Sequence, residues 1–272
     1  MKKIINAPEN VVNEMLAGLV AANPDTLDII PEKRIILRKE RKAAGKVAVV
    51  TGSGSGHEPD QVFYVGKGMM DAACAGPVFA APTADAIYEA AKAVDTGAGV
   101  LFMVKNYTGD RGQFGMACEM CEMDDINAKI VIADDDVAVK DSTFTAGRRG
   151  VAGAILGYKI VCAAAEEGKS LDELVELADR VNANVRSMGF GLTSCTTPAK
   201  GAPTFEIGDD EMEIGVGLHG EPGRQRTKLM PADEIVGLMT QNCLDDLPFQ
   251  AGDEVAVMVN GLCGTPTKKC RS

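Results

Sequence analysis

No tryptophan occurs in the 272 residues, aromatic residues make up 4%, and there are only two histidines. The core must therefore be assembled from Val, Ile, Leu, Ala and Met, without the large ring surfaces that anchor many interiors. No apolar run approaches the roughly 18 residues of a membrane helix. The opening Met1-Lys2-Lys3-Ile4-Ile5-Asn6-Ala7-Pro8 lacks the apolar stretch of a secretory signal. The expected location is cytoplasmic, away from membranes. Positive charge is also scarce: 28 Lys and Arg stand against 39 Asp and Glu, a net charge of -11. That balance excludes the basic surface that nucleic acid or an anionic bilayer requires. Eight cysteines in a chain of this kind are expected to be reduced thiols rather than a disulfide framework. The remaining composition, 46% apolar and 25% charged, is ordinary for a globular protein long enough for one large domain or two smaller ones.

Periodicity supplies the outline of a fold. Val11, Val12, Met15, Leu16 and Leu19 recur at helical spacing between Pro8 and Ala22, ahead of Pro24. The β-branched run Val47–Val50 predicts a buried parallel strand that leads straight into a glycine-rich loop. A helix over Thr83–Val94 precedes a strand over Val100–Val104 that ends at Lys105, and a strand over Ile130–Ile132 ends at Asp134-Asp135-Asp136. This repeated order of strand, polar loop and helix is that of an α/β domain, whose ligands sit beyond the carboxyl ends of its strands. Helices are predicted over Gly150–Ala165 and Leu171–Val181. After them the chain becomes rich in Gly, Thr, Ser and Pro, with a strand over Met212–Leu218, a helix over Ala232–Met239 and a strand over Val255–Val259. The expected fold is α/β with two lobes, residues 1–182 and 183–272, each a mixed β-sheet flanked by helices.

Both histidines lie in short glycine motifs, Gly52-Ser53-Gly54-Ser55-Gly56-His57-Glu58-Pro59 and Gly217-Leu218-His219-Gly220-Glu221-Pro222-Gly223. Each follows an apolar run and precedes a Glu-Pro. Two rare imidazoles on backbone that can approach a small ligand closely point to one active site built from distant segments. The plainer alternative is a pair of turn histidines bonded to nearby backbone. Gly52 and Gly54 have the spacing of a dinucleotide fingerprint, but His57 occupies the third glycine position, and Gln61 stands where a phosphate loop before Gly66-Lys67 would need glycine. Lys105 and Asp110 flank Gly109 at a strand end, where both can face one crevice; Asp110 can equally cap the following helix. Asp134–Asp136 could hold a cation, but three consecutive carboxylates diverge, and a solvated turn is the expected reading. Cys118-x-x-Cys121 lacks a second pair at zinc spacing and reads as buried or partly buried thiols. Ser53 or Ser55 with a histidine lacks the Gly-x-Ser-x-Gly elbow of a hydrolase. No metal site is expected.

Taken together, these motifs resemble the substrate-binding subunit of dihydroxyacetone kinase, the DhaK family. The resemblance runs through Gly54–Pro59, Lys105-Asn106-Tyr107-Thr108-Gly109-Asp110, Asp134 to Asp141, Thr145-Ala146-Gly147-Arg148-Arg149-Gly150 and His219–Gly223. It implies a phosphotransferase subunit that holds dihydroxyacetone covalently. By position, His219 would add to the ketone carbon and form a hemiaminal, Asp110 would accept the proton of the attacking hydroxyl, and His57 would hydrogen-bond and activate the substrate. Gly54, Ser55, Gly56, His57, Lys105 and Asp110 would hold its oxygens. A neutral imidazole is nucleophilic near pH 7, and covalent capture selects short carbonyl compounds over polyols.

The resemblance further implies that this chain binds no cofactor itself. ADP or ATP with magnesium would sit on a DhaL-type nucleotide-binding subunit, fed by a phosphoenolpyruvate-driven phosphocarrier or by ATP. A homodimer is expected. The alternatives are a non-catalytic triose sensor of the same fold and a kinase subunit for another short ketose such as erythrulose. The ending Gly264-Thr265-Pro266-Thr267-Lys268-Lys269-Cys270-Arg271-Ser272 departs from the family pattern, so the second lobe is expected to be shortened at its carboxyl end.

Overall fold

The computed structural model describes residues 3–140, 147–221 and 223–261. Asp141, Thr145, Ala146 and Pro222 of the motifs above, and the ending from residue 262, lie outside the described residues. The larger sheet contains β1 (Leu27–Ile30), β2 (Ile35–Arg38), β3 (Ala48–Ser55), β4 (Ala72–Val78), β5 (Val100–Lys105) and β6 (Ala128–Ala133), hydrogen-bonded in the order β1-β2-β4-β3-β5-β6. β4, β3, β5 and β6 run parallel, while β1 and β2 form an antiparallel edge. The strand predicted at Val47–Val50 lies within the sheet as β3 and continues to Ser55, buried along its whole length.

Side chains alternate across the sheet and divide the core into two layers. Val49, Leu101, Met103 and Val131 pack with α1 (Val11–Ala22), α4 (Ala154–Glu167) and α5 (Leu171–Asn184). Ala48, Val50, Val100, Phe102 and Val104 pack with α2 (Ala84–Val94) and α3 (Thr108–Met123). Burial on both faces explains why these strands read as unbroken apolar runs. Thr83 Oγ1 caps α2 by accepting from Ala86 N, and Ser170 with Glu173 forms a capping box at α5.

α4 starts at Ala154, later than the predicted Gly150, because the Asp135 carboxylate takes the Val151 and Gly153 N–H groups, both at 2.9 Å. This corrects the reading of Asp134–Asp136 as a solvated turn. Only Asp134 is exposed; Asp135 also accepts from the Ser187 hydroxyl, and Asp136 is buried against Arg149.

The smaller sheet, β7 (Phe190–Gly191), β8 (Glu211–Ile214) and β9 (Gln225–Lys228), is antiparallel throughout and packs on α6 (Ala232–Asp245) through Met212, Ile214 and Ile235. The expected mixed sheet is therefore corrected here: the loop 215–224 between β8 and β9 is too short for the crossover that a parallel pair needs. β8 stops at Ile214 rather than Leu218. Gly217 N donates to Glu221 O and Gly220 N to Gly217 O, which folds the His219 segment into a turn. Val255–Val259 is not a strand. No neighbour pairs with it among the described residues, and Val255, Val257, Met258 and Val259 stand exposed. An apolar β-branched run needs a sheet edge to satisfy its backbone, and this one meets none there.

At the opposite end of β3 from the glycine loop, Asp71 accepts from Arg38 Nη1 (3.2 Å), Lys42 Nζ (2.8 Å) and Val49 N (2.7 Å). Arg38 also pairs with Glu166 of α4, so this buried cluster ties the sheet to its helical layer. Removing one partner leaves buried charge uncompensated. Asp71→Ala is expected to cost about 3–5 kcal/mol, read as a lowered urea midpoint by circular dichroism.

Candidate functional site

β3 and β5 are neighbours whose onward connections leave in opposite directions, β3 toward β4 and β5 through α3 toward β6. Such a switch point opens a crevice beyond the strand ends. The end of β3 is covered closely by the turn after β4. A Cβ on Gly54 would lie 2.6 Å from Ala80 N, and one on Gly56 would lie 2.8 Å from Phe79 Cε1. Gly56 has φ +102 and Phe79 has φ 61, a left-handed conformation that costs a bulky residue about 1–3 kcal/mol. The glycines are thus needed to bring Phe79 down onto His57.

Four rings meet there. His57 and His219 are 4.8 Å apart, edge to face, although 162 positions separate them in sequence. Phe79 stacks on His57 at 5.0 Å and meets His219 at 5.4 Å, and Tyr107 meets His219 at 4.9 Å. His57 Nδ1 lies 3.0 Å from the Gly54 carbonyl, an acceptor, so Nδ1 carries the proton. Its buried Nε2 meets no partner at strict hydrogen-bond geometry among the described residues, with the Leu218 backbone acting on the same ring. Burial, then the charges of Lys105 and His219, push the His57 pKa down to about 3. Burial also lowers that of His219, against the opposing pull of Glu221. Both imidazoles are neutral at pH 7. The turn-histidine reading accounts for the Gly54 bond but not for two imidazoles sharing one ring cluster.

Asp110 does not cap α3. The helix begins at Thr108 after Tyr107, and the Asp110 carboxylate instead accepts from Ser53 Oγ at 2.7 Å, which corrects the capping alternative. Burial raises its pKa to about 6, with the Ser53 bond and the Lys105 charge pulling the other way. Lys105 is buried, with Nζ 2.7 Å from Asp60 Oδ2, and its charge acts on His57, His219 and Asp110 alike. Ser55 Oγ donates to Gly76 O at 2.7 Å, which leaves its oxygen as an acceptor. A cavity of about 450 Å³ opens on the His57 side, bordered by Ser55, Gly56, Asp60, Phe79 and Leu218. Asp110 and His219 are not part of its wall.

Sequence reasoning missed Phe79, Glu221 and Arg149 as parts of this site, and it gave Tyr107 no role within its motif. Nothing in the sequence around Phe79 could have marked it, since its place depends on the β3–β4 register. Glu221 was visible beside His219, but its burial was not. Cys121 is buried and Cys118 half-buried, both as free thiols. Among the described residues, no cluster of three or more His, Cys, Asp or Glu could hold a metal ion, and no helix is long and apolar enough to cross a membrane.

Comparison with known proteins identifies the family of the chain. The model of the Dak1 domain matches residues 17–271. The PTS-dependent dihydroxyacetone kinase 1, dihydroxyacetone-binding subunit DhaK, of Listeria innocua is 49% identical over 266 residues, covering 98% of this chain and 80% of that protein. The dihydroxyacetone kinase of C. freundii, solved with AMP-PNP and Mg2+, superposes with a TM-score of 0.84 at 36% identity, covering 91% of this chain and 46% of that one. The dihydroxyacetone kinase operon co-activator Dha-DhaQ superposes with a TM-score of 0.81 at 33% identity, covering 86% of this chain and 71% of that one.

The Ser53 hydroxyl favours the ionised form of Asp110. Ser53→Ala is therefore expected to raise the Asp110 pKa above its value near 6, measured by carboxyl carbon-13 NMR across pH 4 to 9.

Proposed function

Because the chain belongs to the Dak1 domain family, we propose that it is the dihydroxyacetone-binding subunit of a dihydroxyacetone kinase and that it captures the ketone as a hemiaminal on His219. The observation that carries this reading is the neutral His219 imidazole enclosed by His57, Phe79 and Tyr107. A ring depressed in pKa by burial keeps its lone pair at neutral pH, which nucleophilic addition requires. His57, with Nδ1 donating to Gly54 O, offers Nε2 to a substrate hydroxyl.

Asp110 then acts as the general base. With a pKa of about 6 it is ionised at pH 7, yet basic enough to receive a hydroxyl proton as the phosphoryl group arrives. Backbone and side chains of Gly54, Ser55, Gly56 and Lys105 hold the remaining oxygens. The phosphoryl group comes from a nucleotide and magnesium on a DhaL-type partner, recharged by a phosphoenolpyruvate-driven phosphocarrier or replaced by ATP, and the subunit works as a cytoplasmic homodimer. Phosphoryl transfer depends mainly on alignment and charge neutralisation, so the partner must cover this crevice closely.

The likeness to an operon co-activator favours a second reading, a triose sensor that needs His219 but no base. The Ser53-bonded, pKa-raised Asp110 favours the enzyme. A kinase subunit for erythrulose is separated by comparing turnover of three- and four-carbon ketoses.

Three measurements test the proposal. Dihydroxyacetone labelled with carbon-13 at the ketone should give a protein-bound saturated-carbon resonance, distinct from those of the free hydrate and dimer, with the wild type and not with His219→Ala; free-ligand signals alone with the wild type would refute capture. With the nucleotide-carrying partner added, Asp110→Asn should lose roughly 100- to 10,000-fold in turnover while keeping that resonance. Turnover of the wild type should fall as pH drops through about 6, where Asp110 takes up its proton. No limb near 7 is expected from His57, which is already neutral there.

A further inference from the structure

Glu221 follows His219 by two residues and is buried in the same turn. Its Oε2 accepts the His219 backbone N–H at 2.9 Å and stands 3.7 Å from His219 Nδ1. Its Oε1 faces Arg149 Nη1 at 3.4 Å. Arg149 is wholly buried and is itself held by Asp136 (Nε, 2.8 Å) and by the Gly215 carbonyl (Nη2, 2.6 Å). Gly217 makes room for this arrangement, because a Cβ there would overlap the Glu221 carboxylate.

The charge count in this cluster is uneven. One guanidinium faces two carboxylates, and Asp136 alone would neutralise it. An extra buried negative charge is costly unless positive charge forms beside it, and Glu221 places that charge against the ring of His219. We propose that Glu221 is a positioning residue for His219: its carboxylate accepts a hydrogen bond from Nδ1–H, holds the imidazole in the tautomer with an unprotonated Nε2, and stabilises the positive charge the ring acquires on addition. This rests on the capture reading above. At 3.7 Å the carboxylate stands beyond hydrogen-bond distance of the neutral ring, and a small rotation of the imidazole closes the gap, as apo sites commonly require.

The electron count supports the role. The Nε2 lone pair forms the bond to the ketone carbon, and the C=O π pair moves onto oxygen. The ring becomes an imidazolium and the oxygen an alkoxide. Loss of the Nδ1 proton and gain of a proton by the oxygen then give the neutral hemiaminal. Glu221 faces the nitrogen that gives up this proton, while Arg149 Nη1, 3.4 Å from its Oε1, holds the carboxylate in place.

Nitrogen-15 NMR of the full chain reads the tautomer directly, since there are only two histidines to assign. The wild type is expected to carry the His219 proton on Nδ1; a proton resident on Nε2 overturns the proposal whatever any variant does. Glu221→Gln should convert His219 to a mixture of tautomers and weaken capture of ketone-labelled dihydroxyacetone by about ten- to a hundredfold, the span for losing a hydrogen bond to a charged group. Glu221→Asp should restore part of both, and it also serves if the glutamine variant does not fold. Variants with the wild-type tautomer and the wild-type capture affinity refute the role. A wild type that keeps Nδ1–H but never converts the labelled ketone carbon supports the orientation by Glu221 and refutes capture, so the two failures are distinguishable.

Discussion

The buried guanidinium of Arg149 holds the halves of this site in register. One side of it meets Asp136, just past the end of β6 in the larger sheet; the other meets Glu221 and the Gly215 carbonyl, in the loop that carries His219. A wholly buried charge survives only where acceptors replace its water, and the planar fork of arginine satisfies several at fixed angles. Those angles set where the His219 turn lies relative to the end of β3. The edge-to-face contact between the two histidines therefore depends on a residue that belongs to neither histidine motif.

Burial is the second constraint, and it acts in opposite directions on the two kinds of group. Low polarity disfavours charge on an imidazole and on a carboxyl alike, which lowers the pKa of both histidines and raises that of Asp110. Near neutral pH the site thus offers neutral nitrogen nucleophiles beside a carboxylate of unusual basicity. Lys105, paired with Asp60, moderates Asp110 and reinforces the neutrality of the rings. One environment separates the roles of nucleophile and base, the pattern by which active sites run both kinds of chemistry at one pH.

Much of the larger sheet was legible because its strands are buried on both faces and its helices carry caps. Val47–Val50 and Val100–Val104 predicted β3 and β5, and Thr83 marked the start of α2. Failures came where a local pattern met a distant partner. Asp135 and Asp136 look like surface acids, yet the amino end of α4 and Arg149 draw them inside. Val255–Val259 has the composition of a strand, but pairing is a property of a neighbour, and none pairs with it among the described residues. β1, β2 and β4 went unread: β1 and β2 form a short hairpin of four residues a side, and β4 joins β2 and β3 only through contacts distant along the chain.

What the sequence determined by itself is the inventory: two histidines in glycine motifs, a lysine and an aspartate at the end of a strand, and the apolar periodicity of an α/β core. These are local facts, set by residue type and spacing over a few positions. The tertiary structure alone decided that the histidine rings touch, that Phe79 and Tyr107 wall them in, that Asp110 bonds Ser53 rather than capping its helix, and that Glu221 faces His219 with Arg149 behind it. Each of these depends on desolvation and on the meeting of segments far apart in the chain, quantities that exist only once the sheets have packed.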